Sequence, residues 1–186
     1  MSAITVVQIV ELIKQGDQGR ITRELLQAFL ENPVRFFVGL PVSYDQLVGL
    51  VSLIKRAVGK NNLGNIDRDI IQERFPLKGT GVRRVLCRVE AYLDGETSEQ
   101  AAKRLTYAGH VLGNTGDLAG YLHDHPEEVE KWMGWVLAIS EDSRWTAPGD
   151  LVLAPCANVR GAFRYFGLHN FRFRCDPHCG ALVLNE

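Results

Sequence analysis

The sequence predicts an α+β protein in which a helical N-terminal module, residues 1–78, precedes a domain with a β-sheet, residues 79–186. Three observations predict this class. Apolar residues of the module recur with a helical period, and residues 82–93 alternate as in a strand. After Trp132 the chain consists of short apolar runs separated by Pro and Gly, which is typical of strands and loops. With 186 residues, 46% of them hydrophobic, the chain suffices for one main domain and a small appendage.

The N-terminal module is expected to hold four helices. Ser2 can cap the first helix, and Pro33 and Pro76 end the second and the fourth. Residues 43–46, Ser-Tyr-Asp-Gln, have the form of a capping box, so a third helix is expected to follow them and to end near Gly59. The predicted helices cover residues 4–13, 22–30, 47–58 and 66–71.

In the second domain the predicted order is a strand, two helices, and a half made of strands and loops. The first strand covers residues 82–93. Thr97 or Ser98 can cap a helix that Gly109 ends, and Thr115 can cap a second helix that stops before a proline. Further strands are expected at Trp135–Ile139, Leu151–Ala154, Ala162–Leu168 and Ala181–Leu184.

Charge and hydropathy argue against nucleic acid and membranes as partners. Lys and Arg number 21 against 22 Asp and Glu, a net charge of −1, so no global field attracts a nucleic-acid backbone or an anionic membrane. No apolar run is long enough to cross a bilayer, and the opening residues lack the basic region and cleavage site of a secretory signal. We therefore expect no nucleic-acid partner and no membrane span. The sequence leaves the location and the oligomeric state of the protein open, with a monomer favoured.

The candidate metal ligands are Cys156, His169, Cys175, His178 and Cys179, which supply enough thiolates and imidazoles for a tetrahedral zinc site. Their spacing argues against zinc, because the sequence has no second tight cysteine pair. We therefore expect no metal and no other cofactor. The run at residues 123–125, His-Asp-His, is interpreted as an ordinary helix end, where the helix dipole favours imidazoles.

Catalytic motifs are weak in this sequence. Cys175, Asp176 and His178 supply the residue types of a nucleophile, an orienting carboxylate and a base, but residues so close in sequence point in different directions. The glycines at 109 and 113 do not follow a strand and lack the Lys of a phosphate-binding loop. The expectation is a protein without catalytic residues, not an enzyme.

A basic, aromatic-rich stretch covers residues 160–174. Arginines and aromatic rings together can stack on and neutralise single-stranded nucleic acid, and the same residue types make up hot spots for binding proteins. Residue types alone leave both interpretations open. The members are Arg160, Phe163, Arg164, Tyr165, Phe166, Phe171, Arg172, Phe173 and Arg174.

From Leu151 to Asn185 the sequence holds no Lys, Glu, Gln, Met or Trp, although the chain before this tail uses all five. Strand preference would deplete Lys, Glu and Gln but would favour Trp. Randomising only the adenines of AAC or TAC codons reaches every residue type of the tail and never those five. In this the tail resembles the variable region of proteins diversified by a retroelement, whose error-prone reverse transcriptase rewrites the C-terminal part of the target. The variable region would cover about residues 151–180.

Residues 97–122 resemble the two-helix entry of C-type lectin domains. A helix with a small-residue face ends at Gly109, and a short apolar segment, Val111-Leu112, leads into a second helix. The strand before this entry and the strand-and-loop half after it come in the matching order. Retroelement-diversified proteins are similar to the same fold and end in a buried strand, here residues 180–184. The resemblance implies a C-type lectin-like domain at residues 79–186.

The chain is also similar to small variable proteins of candidate-phylum microbes and archaea, whose tails carry an apolar strand after a hypervariable stretch. The disulfide cysteines and the Glu-Pro-Asn type of calcium and sugar motif of C-type lectins are absent from this sequence, so calcium-dependent carbohydrate binding is not implied. The shared landmarks are Arg144, Trp145, Pro148, Gly149, Val152, Pro155, Leu182 and Val183.

These observations predict a non-catalytic, hypervariable protein that binds a macromolecular ligand, a protein, through its tail. The framework residues are expected to be Trp145, Pro155, Arg164, Leu168, Phe171, Leu182 and Val183. The ligand-binding residues, all expected at the surface, are Cys156, Ala157, Asn158, Val159, Arg160, Ala162, Phe163, Tyr165, Phe166, His169, Asn170, Arg172, Arg174, Cys175, Asp176, His178 and Cys179. Two alternatives are a small nucleic-acid-binding protein and a relative of formylglycine-generating enzymes, which resemble this fold and use a pair of cysteines.

Overall fold

The structure is a computed structural model that describes residues 39–185, which belong to one compact unit, Gly39–Glu186. The first two predicted helices lie outside the described residues. The strands are β1 Leu40–Asp45, β2 Val82–Ala91, β3 Val111–Leu112, β4 Val136–Leu137, β5 Trp145–Ala147, β6 Leu151–Arg160, β7 Phe163–Asn170 and β8 Gly180–Asn185. The α-helices are α1 Leu50–Val58, α2 Ser98–Tyr107, α3 Thr115–Asp124 and α4 Pro126–Lys131, and 3-10 helices cover Gln46–Val48, Lys60–Asn65 and Glu141–Ser143.

All eight strands form one mixed sheet. The order is β1-β2-β8-β4-β6-β5, with β3 also paired to β8 and β7 also paired to β6. The β4–β8 pair is parallel and the other pairs are antiparallel. Among the described residues, no helix combines the length and the apolarity needed to cross a bilayer. The described unit is therefore a mixed α/β fold with helices beside a large sheet.

The sheet carries a hydrophobic core on each face. Along β8, Leu182 and Leu184 belong to the first core cluster, which also contains the apolar faces of α1 and α3. Ala181 and Val183 alternate with them and belong to the second core cluster, which contains the small-residue face of α2. The predicted buried final strand is confirmed, and burial on both faces explains its continuous apolar sequence.

The prediction that a helix begins at residues 43–46 is wrong. Residues 43–45 end β1, which pairs with β2 and buries Val42 and Tyr44 in the first core cluster, and Gln46 begins a 3-10 helix. The helix itself exists as α1, and Gly59 follows its last residue as predicted. The Asp45 side chain, instead of capping α1, accepts a hydrogen bond from the Leu47 amide at 3.0 Å and caps a 3-10 helix.

The segment after Asn65, predicted as a fourth helix, contains turns and no helix. Its bridge from Ile66 to Phe166 ties it to β7 instead. Residues 39–78, which the sequence assigned to the helical module, thus belong to the unit that contains the sheet, and α1 packs against α3 in the first core cluster. The physical reason is that β1 finds its hydrogen-bond partner in β2, which is distant in sequence.

The helices α2 and α3 begin with reciprocal caps. The predicted cap of α2 is confirmed, because the Thr97 side chain accepts from the Gln100 amide and the Gln100 side chain from the Thr97 amide. For α3 the cap is Asn114, paired in the same way with Asp117, and not the predicted Thr115. The His-Asp-His run lies at the end of α3, as the sequence predicted.

Candidate functional site

The tail folds into the hairpin β6–β7, whose two faces differ in what covers them. In the antiparallel register Ala157 lies opposite Phe166, and both side chains are buried in the first core cluster. On the other face Cys156 is buried in the second core cluster. Further along that face, toward the hairpin turn, Arg160 lies opposite Phe163 and both are exposed. The hairpin therefore presents side chains to solvent mainly at its turn and along one face of β7.

Three large aromatic side chains are exposed on or just after β7. The exposed fractions are 71% for Phe163, 36% for Tyr165 and 63% for Phe173. Phe163, Tyr165 and His169 share one face of the strand because their spacing is even. The half-buried His169 ring extends this row to Phe173, with ring centroids 6.1 Å apart. We call Phe163, Tyr165, His169 and Phe173 the aromatic patch.

The Tyr165 ring lies over the backbone of its own strand. A Cβ atom at Gly167 would stand 2.2 Å from the Tyr165 ring, so only glycine leaves room for this position of the ring. The ring also packs edge-on against Trp135, with centroids 5.3 Å apart. Burial raises the pKa of Tyr165 above its ordinary value, so its phenol is neutral and can donate a hydrogen bond to a ligand.

Acidic residues and arginines both lie near the aromatic patch: Glu130 accepts a hydrogen bond from the Gly161 amide at the hairpin turn at 2.7 Å, and the Asp67 amide donates to the Phe166 carbonyl at 3.0 Å. Arg160, Arg172 and Arg174 are exposed, and Asp176 is the only acidic residue between Leu151 and Asn185. Burial lowers the pKa of His169, which is therefore neutral at pH 7. The patch thus combines apolar rings with arginines, the residue types that contribute most to protein-binding hot spots.

Buried groups hold the segment before β4 to the hairpin and to the loop before β8. The buried Asn158 side chain donates to the Gly134 carbonyl, and the Gly134 amide donates to the His178 carbonyl at 3.1 Å. The Gly180 amide donates to the Trp135 carbonyl at 2.8 Å. Hydrogen bonds of this kind fix the backbone under the site, which limits the backbone entropy that is lost when a ligand binds.

The expectation that all ligand-binding residues lie at the surface is wrong for seven of them. They are buried because β6 is an internal strand with a core cluster on each face, because one face of β7 packs in the first core cluster, and because the loop before β8 turns its cysteines inward. These residues are Cys156, Ala157, Asn158, Val159, Phe166, Cys175 and Cys179. The remaining residues are exposed or half-buried: Arg160, Ala162, Phe163, Tyr165, His169, Asn170, Arg172, Arg174, Asp176 and His178. The expected framework residues are buried or half-buried, in agreement with the sequence: Trp145, Pro155, Arg164, Leu168, Phe171, Leu182 and Val183.

The three tail cysteines, which the sequence predicted at the surface, lie in the core. Cys156, Cys175 and Cys179 all belong to the second core cluster. The Cys175 thiol donates a hydrogen bond to Cys179, and this bond raises the pKa of Cys175 and lowers that of Cys179. The Asp176 carboxylate accepts from the backbone amide of His178 at 2.9 Å. Within residues 39–185, no three His, Cys, Asp or Glu side chains are placed to hold a metal ion.

Two features of this surface escape sequence reasoning. Trp135 and the exposed Met133 precede the tail and reach the site only through the sheet, because β4 pairs with β6. Gly167 carries a signal that the sequence does show, a glycine inside an alternating strand, which indicates a close approach of another group. The sequence does not show that this group is the Tyr165 ring.

Comparisons with known proteins found no family model that matches this chain, no matching curated protein and no matching solved structure.

Proposed function

We propose that this protein is a non-catalytic binding protein that holds a macromolecular ligand, a protein, on the aromatic patch. The observation that carries the proposal is the exposure of Phe163, Tyr165 and Phe173 beside a rigid hairpin. Clusters of exposed aromatic side chains at one place mark interaction sites in soluble domains, whereas single exposed apolar residues need no explanation. Aromatic rings also lose little conformational entropy when they are covered.

A protein ligand is favoured over nucleic acid by the charge of the chain. The net charge of −1 provides no long-range attraction for a polyanion, and the arginines near the patch number only a few. These arginines match a partner protein whose surface has an acidic or polar rim around an apolar centre. In this proposal the rings supply most of the binding energy, and Arg160, Arg172 and Arg174 orient the partner.

We further propose that a retroelement diversifies the tail. Support comes from the five missing residue types between Leu151 and Asn185 together with the exposure of the hairpin turn and of one face of β7. Exposed positions tolerate many side chains at a cost within about 0.5 kcal/mol, whereas the buried positions of β6 do not. The variable positions are therefore expected among the ten exposed or half-buried residues named above, and not at the seven buried ones.

The finer fold assignment, a C-type lectin-like domain, is part of the same proposal. Its support is the element order and the pairing of β8 with β2, which brings the last strand of the domain beside the first. The two helices α2 and α3 follow β2, and the strand-and-loop half follows them. A crystal structure that superposes on C-type lectin domains through β2, α2, α3 and β8 would support the assignment, and a different strand order would overturn it.

The gene provides the first test. We expect a reverse-transcriptase gene nearby and a near-copy of the tail's coding sequence that differs from it at adenines, in codons of the exposed positions. Differences spread over all four bases, or concentrated in codons for Ala157 and Phe166, would contradict diversification.

Binding provides the second test. Peptides selected from a random display library on the immobilised full chain are expected to lose at least about tenfold in affinity for F163S. The matched control is Y107S, which removes an aromatic ring that is 95% exposed at the end of α2 and should leave affinity unchanged. Equal losses for the two variants would refute the assigned surface. If the chain binds oligothymidine tightly and the affinity falls steeply with salt concentration, the surface is a nucleic-acid-binding site instead.

A further inference from the structure

Two thiols meet in the loop between β7 and β8. Cys175 and Cys179 are each 5% exposed and belong to the second core cluster. The Cys175 thiol is placed to donate a hydrogen bond to the Cys179 sulfur, and both side chains pack in the same cluster. Both cysteines are free in the structure.

The backbone fixes both cysteines in this relation. The Cys175 amide donates to the Glu96 carbonyl at 2.9 Å, and the Cys175 carbonyl accepts from the Gly95 amide at 3.2 Å. The Cys179 carbonyl accepts from the Tyr92 amide at 3.1 Å. Both cysteines are therefore tied to the segment that joins β2 to α2, and their approach to each other does not depend on the loop's own conformation alone.

The two sulfurs differ in their chemistry. Cys179 accepts hydrogen bonds from the Cys175 thiol and from the backbone amides of Trp135 and Asp176, and these lower its pKa although burial and the Asp176 carboxylate act in the opposite direction. Cys175, as the donor, has a raised pKa. A thiolate is the nucleophilic form of cysteine, so Cys179 is the attacking sulfur and Cys175 the resolving one.

We propose that Cys175 and Cys179 form a redox-active dithiol that hydroperoxides oxidise reversibly to a disulfide, independently of what the aromatic patch binds. The Cys179 thiolate attacks one peroxide oxygen, the O–O bond breaks, and the leaving hydroxide takes up the Cys179 proton to form water. Cys175 then attacks the Cys179 sulfenic acid, forming the S–S bond, and its proton joins the departing hydroxide as a second water. Two thiols and one hydrogen peroxide thus give one disulfide and two waters.

The other two cysteines provide internal controls. Cys87 lies in the first core cluster, on the opposite face of the sheet, and burial raises the pKa of its thiol. Cys156 lies in the second core cluster with Cys175 and Cys179, but burial is the main influence on its thiol and raises its pKa. Both are expected to stay reduced, because a buried protonated thiol is a poor nucleophile.

The experiment treats the folded full chain with hydrogen peroxide, alkylates free thiols after unfolding, and maps the peptides by mass spectrometry. We expect a disulfide between Cys175 and Cys179, reversal by dithiothreitol, and alkylation of Cys87 and Cys156 throughout. In C175S the sulfenic acid on Cys179 has no resolving thiol and is expected to react with dimedone. C87S is the matched control, in which the disulfide should still form.

The wild-type protein alone can overturn the proposal, whatever the folding of the variants. Full alkylation of both Cys175 and Cys179 after peroxide would refute it, as would a disulfide that includes Cys156. Dimedone is expected to label Cys179 in C175S. Labelling of Cys175 in C179S, without labelling of Cys179 in C175S, would refute the assignment of Cys179 as the attacking sulfur.

Discussion

The contact between Gly113 and Leu182 makes a quantitative prediction about the core. Leu182 lies on β8, is fully buried, and accepts a hydrogen bond from the Gly113 amide at 2.9 Å. A Cβ atom at Gly113 would stand 2.8 Å from Leu182 Cδ2 and 3.0 Å from Cγ. Gly113 thus leaves room for the leucine side chain, and each of the two residues determines what the other can be.

Substitution of either residue alone is expected to destabilise the protein. L182A removes the buried isobutyl group and leaves a cavity, which costs about 3–5 kcal/mol. G113A inserts a methyl group against Leu182 and should cost about 1–3 kcal/mol through overpacking. In the double variant Cγ and Cδ2 are gone, so the new methyl group occupies part of the cavity. The third atom near the new methyl group, the backbone carbonyl oxygen of Leu182 at 3.2 Å, stays in the double variant.

A double-mutant cycle measured by urea unfolding tests this geometry. The double variant is expected to be more stable than the sum of the single effects by about 1–3 kcal/mol. The control cycle pairs G113A with I139A, because Ile139 is equally buried but belongs to the second core cluster, and its effects should add. Additivity within about 0.5 kcal/mol for the Gly113 and Leu182 pair would refute the packing described here.

Two further predictions concern β7. Y165S should cost about 1 kcal/mol or less, because the ring is partly exposed and packs on Trp135 and over the backbone at Gly167, whereas F166A should cost about 3–5 kcal/mol because its ring is fully buried. Urea midpoints give the comparison, and similar costs for both would show that the aromatic patch is core. Burial lowers the pKa of His169 in the folded protein, so the unfolded state binds more protons below the ordinary value of 6.5. The contribution of His169 to the free energy of unfolding is therefore fully present above pH 6.5 and is lost as the pH falls toward the folded-state pKa. H169Q should remove this loss, and an unchanged pH profile of the urea midpoint would contradict the buried position of the imidazole.

Local patterns in the sequence predicted the elements that depend on neighbouring residues. The capping box of Thr97 with Gln100 begins α2, and Gly59 ends α1, because both signals act within one helical turn. The alternation after residue 82 predicted β2, whose side chains point to opposite faces by the geometry of any strand. The apolar run at 181–184 predicted a strand, and the resemblance to retroelement-diversified proteins implied that this last strand is buried.

The composition of the tail is likewise a property of the sequence alone. The absence of five residue types after Leu151 is the observation behind the proposed diversification, and no coordinate is needed to see it. It does not distinguish exposed from buried positions, however. Cys156 and Phe163 both lie in the tail that lacks the five residue types, although Cys156 is buried and Phe163 is largely exposed.

Tertiary structure decided which tail residues can meet a ligand. The pairing of β6 with β4 on one side and β7 on the other makes β6 an internal strand, and core clusters cover both of its faces. The same pairing brings Trp135 to Tyr165, and the loop before β8 places Cys175 and Cys179 in one core cluster. These contacts depend on strand order and register between segments far apart in the chain, whereas a sequence pattern reports only the residues beside it.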